Sequence, residues 1–142
     1  MRKQGVRRLA LSSLNSAAHN KPQLVRAHLA SLLPELYNQT RIDESLVRIV
    51  EMGPFKHKVD DGLDIRKTAY ECMHTLLDTA LNEIEIHEYL ERVLAGLSDD
   101  EEVKKLCYVM LAKLVALSPT AVAQSTLLPS GNTKEILTSS QD

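Results

Sequence analysis

Ile65-Arg66-Lys67-Thr68-Ala69 decides the fold, because the chain writes the same pattern three times. A branched apolar residue, two basic residues and, two places on, a small residue recur as Val6-Arg7-Arg8-Leu9-Ala10 and Val103-Lys104-Lys105-Leu106-Cys107. Beyond these starts Leu14, Met73 and Leu111 hold equivalent positions, as do Ala17, Leu76 and Leu114. Each segment therefore presents one apolar stripe of the helical period, in one register.

The starts at 6, 65 and 103 lie 59 and 38 residues apart. The shorter step is near the length of HEAT or armadillo units, roughly 40 residues. Matching second helices lie between the first ones, since Leu29, Leu32, Leu33 and Leu36 correspond to Leu90, Val93, Leu94 and Leu97. The expected fold is all-α: a HEAT-repeat α-solenoid of about two and a half helix pairs over residues 1–124, followed by an irregular or disordered tail over 125–142. Boundaries agree with this. Asn20-Lys21-Pro22 ends one helix and starts the next with proline in its first turn, where the missing N–H costs nothing, and Ser118-Pro119 repeats the device. Asp99, Asp100, Glu101 and Glu102 crowd a helix start, where carboxylates favour the positive end of the dipole. Pro34, inside a second helix, is expected to kink it.

The longer step holds 21 extra residues, an insertion at about 44–62. Leu46-Val47-Arg48-Ile49-Val50 is rich in strand-favouring residues and is followed by Gly53-Pro54. Glycine at the first central position suits a type II′ turn, and the fixed φ of proline suits the second. That register pairs Met52 with Phe55, Glu51 with Lys56, Val50 with His57, Ile49 with Lys58 and Arg48 with Val59. One face then carries Met52, Phe55, Val50, His57 and Val59, and the other opposes Glu51 to Lys56 beside Ile49 and Lys58. Ile42, Leu46, Ile49 and Val50 also fit a helical stripe, so a short helix and a loop is the alternative. An isolated two-stranded hairpin is marginal in water and must lean on its own repeat or on a partner.

The phrases SAAHNKP (16–22), LLPELYN (32–38), EMGPFKHKVDDGLDIRK (51–67) and YECMHTLLD (70–78) resemble the carboxy-terminal HEAT repeats of the cullin-associated, neddylation-dissociated protein family, also known as the TATA-binding-protein-interacting family. The resemblance runs from about Val6 to about Gln124. It implies a non-enzymatic regulator of cullin–RING ubiquitin ligases that acts in substrate-receptor exchange. In that family the solenoid wraps an unmodified cullin and its RING partner, and a projecting hairpin obstructs the substrate-adaptor site. Carried over residue by residue, the implied partner-binding residues are Glu51, Met52, Gly53, Pro54, Phe55, Lys56, His57, Val59, Asp60 and Asp61; Lys58 falls at a variable place. The resemblance further implies a cytoplasmic and nuclear protein.

The sequence departs from the family pattern at its end. Thr120 to Gln124 begins a helix, but Ser125-Thr126-Leu127-Leu128-Pro129-Ser130-Gly131-Asn132 breaks the pattern, and Lys134 to Asp142 is polar enough to be disordered. Repeats are stabilised by their neighbours and need capping at both ends. The expectation is a truncated or split family member that relies on a separate chain for the missing HEAT repeats.

Composition narrows the alternatives. With 44% hydrophobic residues in 142, one modest core is within reach. A net charge of −2 argues against a general polyanion binder, so Arg7, Arg8, Arg66, Lys67, Lys104 and Lys105 are read as bonded to neighbouring repeats or facing water rather than as a phosphate ladder. Cys72 and Cys107 fall near the apolar stripe and read as small core residues of a reducing compartment. Cys72 with His74 lacks a second pair at zinc spacing, so no metal or cofactor is expected; a Cys–His nucleophilic couple stays open on spacing alone. His57 is read as an exposed arm histidine. Asp60-Asp61 either meets a basic partner surface or belongs to the turn before the next helix, with Asp64 capping that helix. No signal peptide or membrane-length apolar run is present in the sequence, and no phosphate loop, paired-acid site or recognisable triad motif points to an enzyme. The alternatives to the cullin reading are a helical repeat that binds nucleic acid or a transcription factor, or an inert fragment.

Overall fold

The computed structural model describes residues 2–126. They fall in two compact units, with the chain passing from the first to the second between Ala80 and Leu81. The first contains α1 (Arg2–Asn20), α2 (Pro22–Ala27), α3 (Leu29–Gln39), β1 (Val47–Met52), β2 (Phe55–Asp60) and α4 (Leu63–Thr79). The second contains α5 (Ile86–Gly96), α6 (Glu101–Leu117) and α7 (Pro119–Thr126). HEAT-type helices in the repeated register, with a two-stranded antiparallel hairpin inserted before α4, are the fold expected from the sequence.

Helix ends follow local chemistry. Lys21 leaves the helical region and donates its N–H to Ala17 O at 2.8 Å, which closes α1; Pro22 then opens α2. Ser118 closes α6 in the same way on Leu114 O, and Pro119 opens α7. The Asp100 carboxylate accepts the Glu102 N–H at the start of α6, with Glu101 and Glu102 in its first turn. Glu85, which the sequence reading did not single out, caps α5 by accepting from His87 and Glu88 N–H. Two details differ from the simplest reading of the sequence. Helix α3 keeps its helical assignment through Pro34, and the break that the sequence did not show lies upstream at His28 (φ −117°, ψ 10°), which separates α2 from α3. Asp64 does not cap α4: cap and helix start lie two residues earlier, with Gly62 at the cap, and Asp64 sits in the first turn, where its charge favours the dipole.

In the first unit the most extensive helix–helix contact joins α1 to α4, and α3 also packs on α4. Leu29, Leu33 and Leu36 of α3 are buried, as are Ile65, Ala69, Met73 and Leu76 along α4. In the second unit α5 packs on α6 and α7, burying Leu90, Val93, Val103, Cys107, Met110 and Leu114. Each such aliphatic side chain contributes about 1.5–3 kcal/mol when removed from water. The three stripes share a register but are not equally covered: Val6 and Leu9 of α1 are exposed, whereas Ile65 and Val103 are buried. Helical spacing tells which face needs cover, and only a neighbour supplies it.

Both cysteines are free and buried. Burial pushes the Cys72 thiol up to about 12; Cys107 reaches about 12 through burial, with a smaller push from Asp99 opposed by Arg92. A thiol so placed stays protonated at neutral pH, the opposite of what a nucleophilic couple with His74 requires. Among the described residues no three His, Cys, Asp or Glu side chains converge on a possible metal position, and no single helix is long and apolar enough to cross a membrane.

Two outcomes follow from this packing. Thiol-reactive probes at pH 8 will label Cys72 and Cys107 far more slowly in the native protein than in denaturant; equal rates would place them outside the core. Leu114→Ala will lower unfolding free energy by about 2–5 kcal/mol in a denaturant titration, through lost burial and the cavity it leaves.

A candidate protein-interaction arm

The hairpin is positioned by its two ends. At its entry the Asp43 carboxylate accepts both the backbone N–H (3.0 Å) and the hydroxyl (2.6 Å) of Ser45, forming the short 3₁₀ turn Glu44–Leu46. These bonds hold the Asp43 carboxyl below its usual pKa. The strands then pair as Val47 with Asp60, Arg48 with Val59, Ile49 with Lys58, Val50 with His57, Glu51 with Lys56 and Met52 with Phe55. This is the register read from the turn residues, extended by one pair. Gly53 at the turn has φ +64°, a backbone conformation that side chains disfavour, and open space surrounds it. Its requirement is therefore conformational, as the type II′ reading asks.

At the exit, Arg66 in the first turn of α4 reaches back to the hairpin. Its Nη2 lies 2.8 Å from Asp60 Oδ2 and its Nη1 3.3 Å from Asp60 Oδ1, while Asp60 Oδ1 also accepts the Gly62 N–H at 3.0 Å. The Arg66 side chain is only 2% exposed and that of Asp60 21%. A two-pronged guanidinium–carboxylate pair with this little solvent is directional as well as strong. Hydrogen bonding from Arg66 holds the Asp60 carboxyl below its usual pKa, helped by the Gly62 N–H and opposed by burial. A Cβ at Gly62 would press on Leu46 Cδ1 at 3.2 Å and stand in ordinary contact with Arg66 Nη1 at 3.4 Å. Asp61 N–H donates to Leu46 O at 2.9 Å, and an exposed pair, Arg48 Nε to Asp61 Oδ2 at 3.0 Å, lies beside it.

The ten residues singled out in the sequence thus separate by height along the arm. Glu51, Met52, Gly53, Pro54, Phe55, Lys56 and His57 lie exposed at and near the tip, with Met52 60% and Phe55 67% open to water. Val59 and Asp60 are partly buried at the base, where Asp60 serves the mount, and Asp61 is exposed and paired with Arg48. Ile49, on the face opposite Phe55, is also exposed. The sequence reading missed Arg66, grouped there with the other basic residues of the repeats. The available signal was its helical register on the buried side of α4, directly after an acidic turn. Arg7 bonds Gln39 through Nε and Nη2, and Lys104 lies 3.9 Å from Glu101, so at least three of the six recurrent basic residues, Arg66 included, have local partners.

Residues 24–140 match the family model described as TATA-binding protein interacting (TIP20). The chain belongs to this family. Among its relatives are "Cullin-associated NEDD8-dissociated protein 1" of Drosophila melanogaster, 55% identical over 117 residues, and "Cullin-associated NEDD8-dissociated protein 2" of Rattus norvegicus, 53% identical over 119. A protein of Emericella nidulans described as "Cullin-associated NEDD8-dissociated protein 1, C-terminal part" is 49% identical over 115 residues. These matches cover 82%, 84% and 81% of the chain, but only 9%, 9% and 11% of the respective relatives. The chain therefore spans about a tenth of the length of the curated relatives it matches, and the resemblance read from the hairpin motif is to the right family.

The two ion pairs at the base will separate in a stability measurement. Asp60→Asn will cost about 2 kcal/mol in denaturant unfolding, as expected for hydrogen bonds to a charged group with little solvent, whereas Asp61→Asn will cost less than about 1 kcal/mol. Equal costs would contradict the mount. The Asp60 pKa is lower in the folded than in the unfolded chain, so its contribution is complete above about pH 4. It will be lost as pH falls through the folded value, and Asp60→Asn will remove that acid-limb component of the stability profile.

Proposed function

We propose that this chain is a non-enzymatic regulator of cullin–RING ubiquitin ligases, binding unneddylated cullin and competing with the substrate adaptor through its hairpin. The observation that supports this reading is the pairing of two exposed apolar side chains, Met52 and Phe55, at the tip of an arm whose base is mounted on α4. Exposed aromatic and thioether groups on a preorganised element are what a docking anchor requires, because little conformational entropy remains to be lost on binding. Lys56 and His57 border the anchor on β2 and Glu51 on β1, setting the polarity of the rim. The names of the relatives, as cullin-associated proteins, supply the partner class.

The working partner is a cullin–RING complex, in the cytoplasm and nucleus. No catalysis is assigned, and the local partners of Arg7, Arg66 and Lys104 weigh against the phosphate-ladder alternative.

Phe55→Ala will weaken capture of a purified unneddylated cullin–RING complex by about 2 kcal/mol, roughly 30-fold in Kd, as for truncation of a buried anchor. Unchanged affinity would remove Phe55 from the anchor role. Failure of the wild-type chain to bind, with and without an amino-terminal family fragment, would overturn the reading as a whole.

A further inference from the structure

Directly paired residues of a hairpin share a face, and successive pairs alternate between the two faces. Val50, Met52, Phe55 and His57 therefore stand on one face of the arm, and Ile49, Glu51, Lys56 and Lys58 on the other. A hairpin that rests on its own domain keeps one face for the core and gives the other to polar side chains. This arm does not. Among the described residues no helix packs extensively on either strand, and above the base each face carries an apolar group open to water. Ile49 is 69% exposed, more than any other large apolar side chain among the described residues, and Phe55 on the other face follows at 67%.

Charge is distributed as unevenly. From Val47 to Lys58 the arm carries Arg48, Lys56 and Lys58 against a single carboxylate, Glu51, whereas the whole chain has a net charge of −2. Arg48 is paired with Asp61 at the base, and Lys56 stands across from Glu51. Lys58 stands across from Ile49, and the carboxylate that its charge reaches, Asp60, is already engaged by Arg66. The face that carries Ile49 thus joins an apolar centre to an excess of positive charge.

A lone apolar residue at a surface needs no explanation. Apolar groups on both sides of a thin ribbon do, because a flat docking surface covers one side and leaves the other in water. We infer that the arm enters a two-walled cleft of its partner: one wall takes Met52 and Phe55, and the other seats Ile49 and offers carboxylates to Lys56 and Lys58. Neither Ile49 nor Lys58 is among the ten residues that the hairpin motif singles out. Ile49 is then a second anchor, and Lys58 sets specificity, since a wall bearing basic groups would place like charge against it. The inference rests on the cullin reading for the identity of the partner, while the two-sided grip can fail by itself.

Thiol protection reads each face directly. Both native cysteines are buried and their thiols protonated at neutral pH, so a cysteine placed on the arm is the reactive one in this chain. Ile49→Cys reports one face and His57→Cys the other, each in the full chain, labelled free and when saturated with a purified unneddylated cullin–RING complex. Both thiols will lose their reactivity in the complex. Ile49→Thr, which keeps the β-branch that strands favour, will raise Kd about tenfold, mainly through faster dissociation. Lys58→Glu will slow association, and added salt will slow the wild type more than this variant. Protection of His57→Cys alone, or an Ile49→Thr chain that binds as tightly as the wild type, would overturn the two-walled grip and leave the cullin reading in place. Association indifferent to salt and to Lys58→Glu would overturn the acidic wall. Two thiols that label as fast in the complex as in the free chain, or a wild type that fails to bind with and without an amino-terminal family fragment, would overturn both the grip and the cullin reading.

Discussion

The pairing of Arg66 with Asp60 is the interaction on which the arm depends. A guanidinium almost closed to water is costly unless its hydrogen bonds are met, and Asp60 meets it with both carboxylate oxygens. The same carboxylate receives the N–H of Gly62, the residue that caps α4. One side chain therefore ties three things together: the last residue of β2, the turn after it and the first turn of the helix. Two strands of six residues, marginal as an isolated hairpin, gain from this tie a fixed point of departure. The direction of the arm is set at its base, leaving Met52 and Phe55 at the tip free for an external surface.

Much of this was legible in the residues. The recurrence of a branched apolar residue, two bases and a small residue gave the helices, because burial at helical spacing leaves a periodic record. Gly53-Pro54 gave the strand register, because a two-residue turn with proline at its second central position leaves little freedom, and once the turn is placed every pair is counted back from it. Arg66 was not legible as the mount. Its counterparts Arg7 and Lys104 serve other partners, and its own partner lies in a different element, brought close by the turn at Asp61-Gly62. The cap assigned to Asp64 failed for a related reason: Asp60, engaged at the turn, moves the helix start forward to Leu63. The exposure of Val6 and Leu9 on α1 could not be read either, since an amphipathic pattern records the need for a neighbour and not its presence. The part of the expected irregular tail from Leu127 onward lies outside the described residues, while Ser125 and Thr126 still belong to α7.

The arm places a few apolar groups, Met52 and Phe55 foremost, on a small support tied down at its base, suited to a partner with a pocket for them, where affinity rests on one or two anchors.

The central claim is that the hairpin is held in place by Arg66. Amide hydrogen exchange of residues 47–60, measured in the wild type and in Arg66→Met, tests it most directly. The account predicts protected strand amides in the wild type and a loss of protection confined to the hairpin and its base in the variant, with the buried amides of α4 between Ala69 and Leu77 still slow. Strand amides that exchange as fast in the wild type as in an unfolded chain, or equally slowly in both proteins, would contradict it.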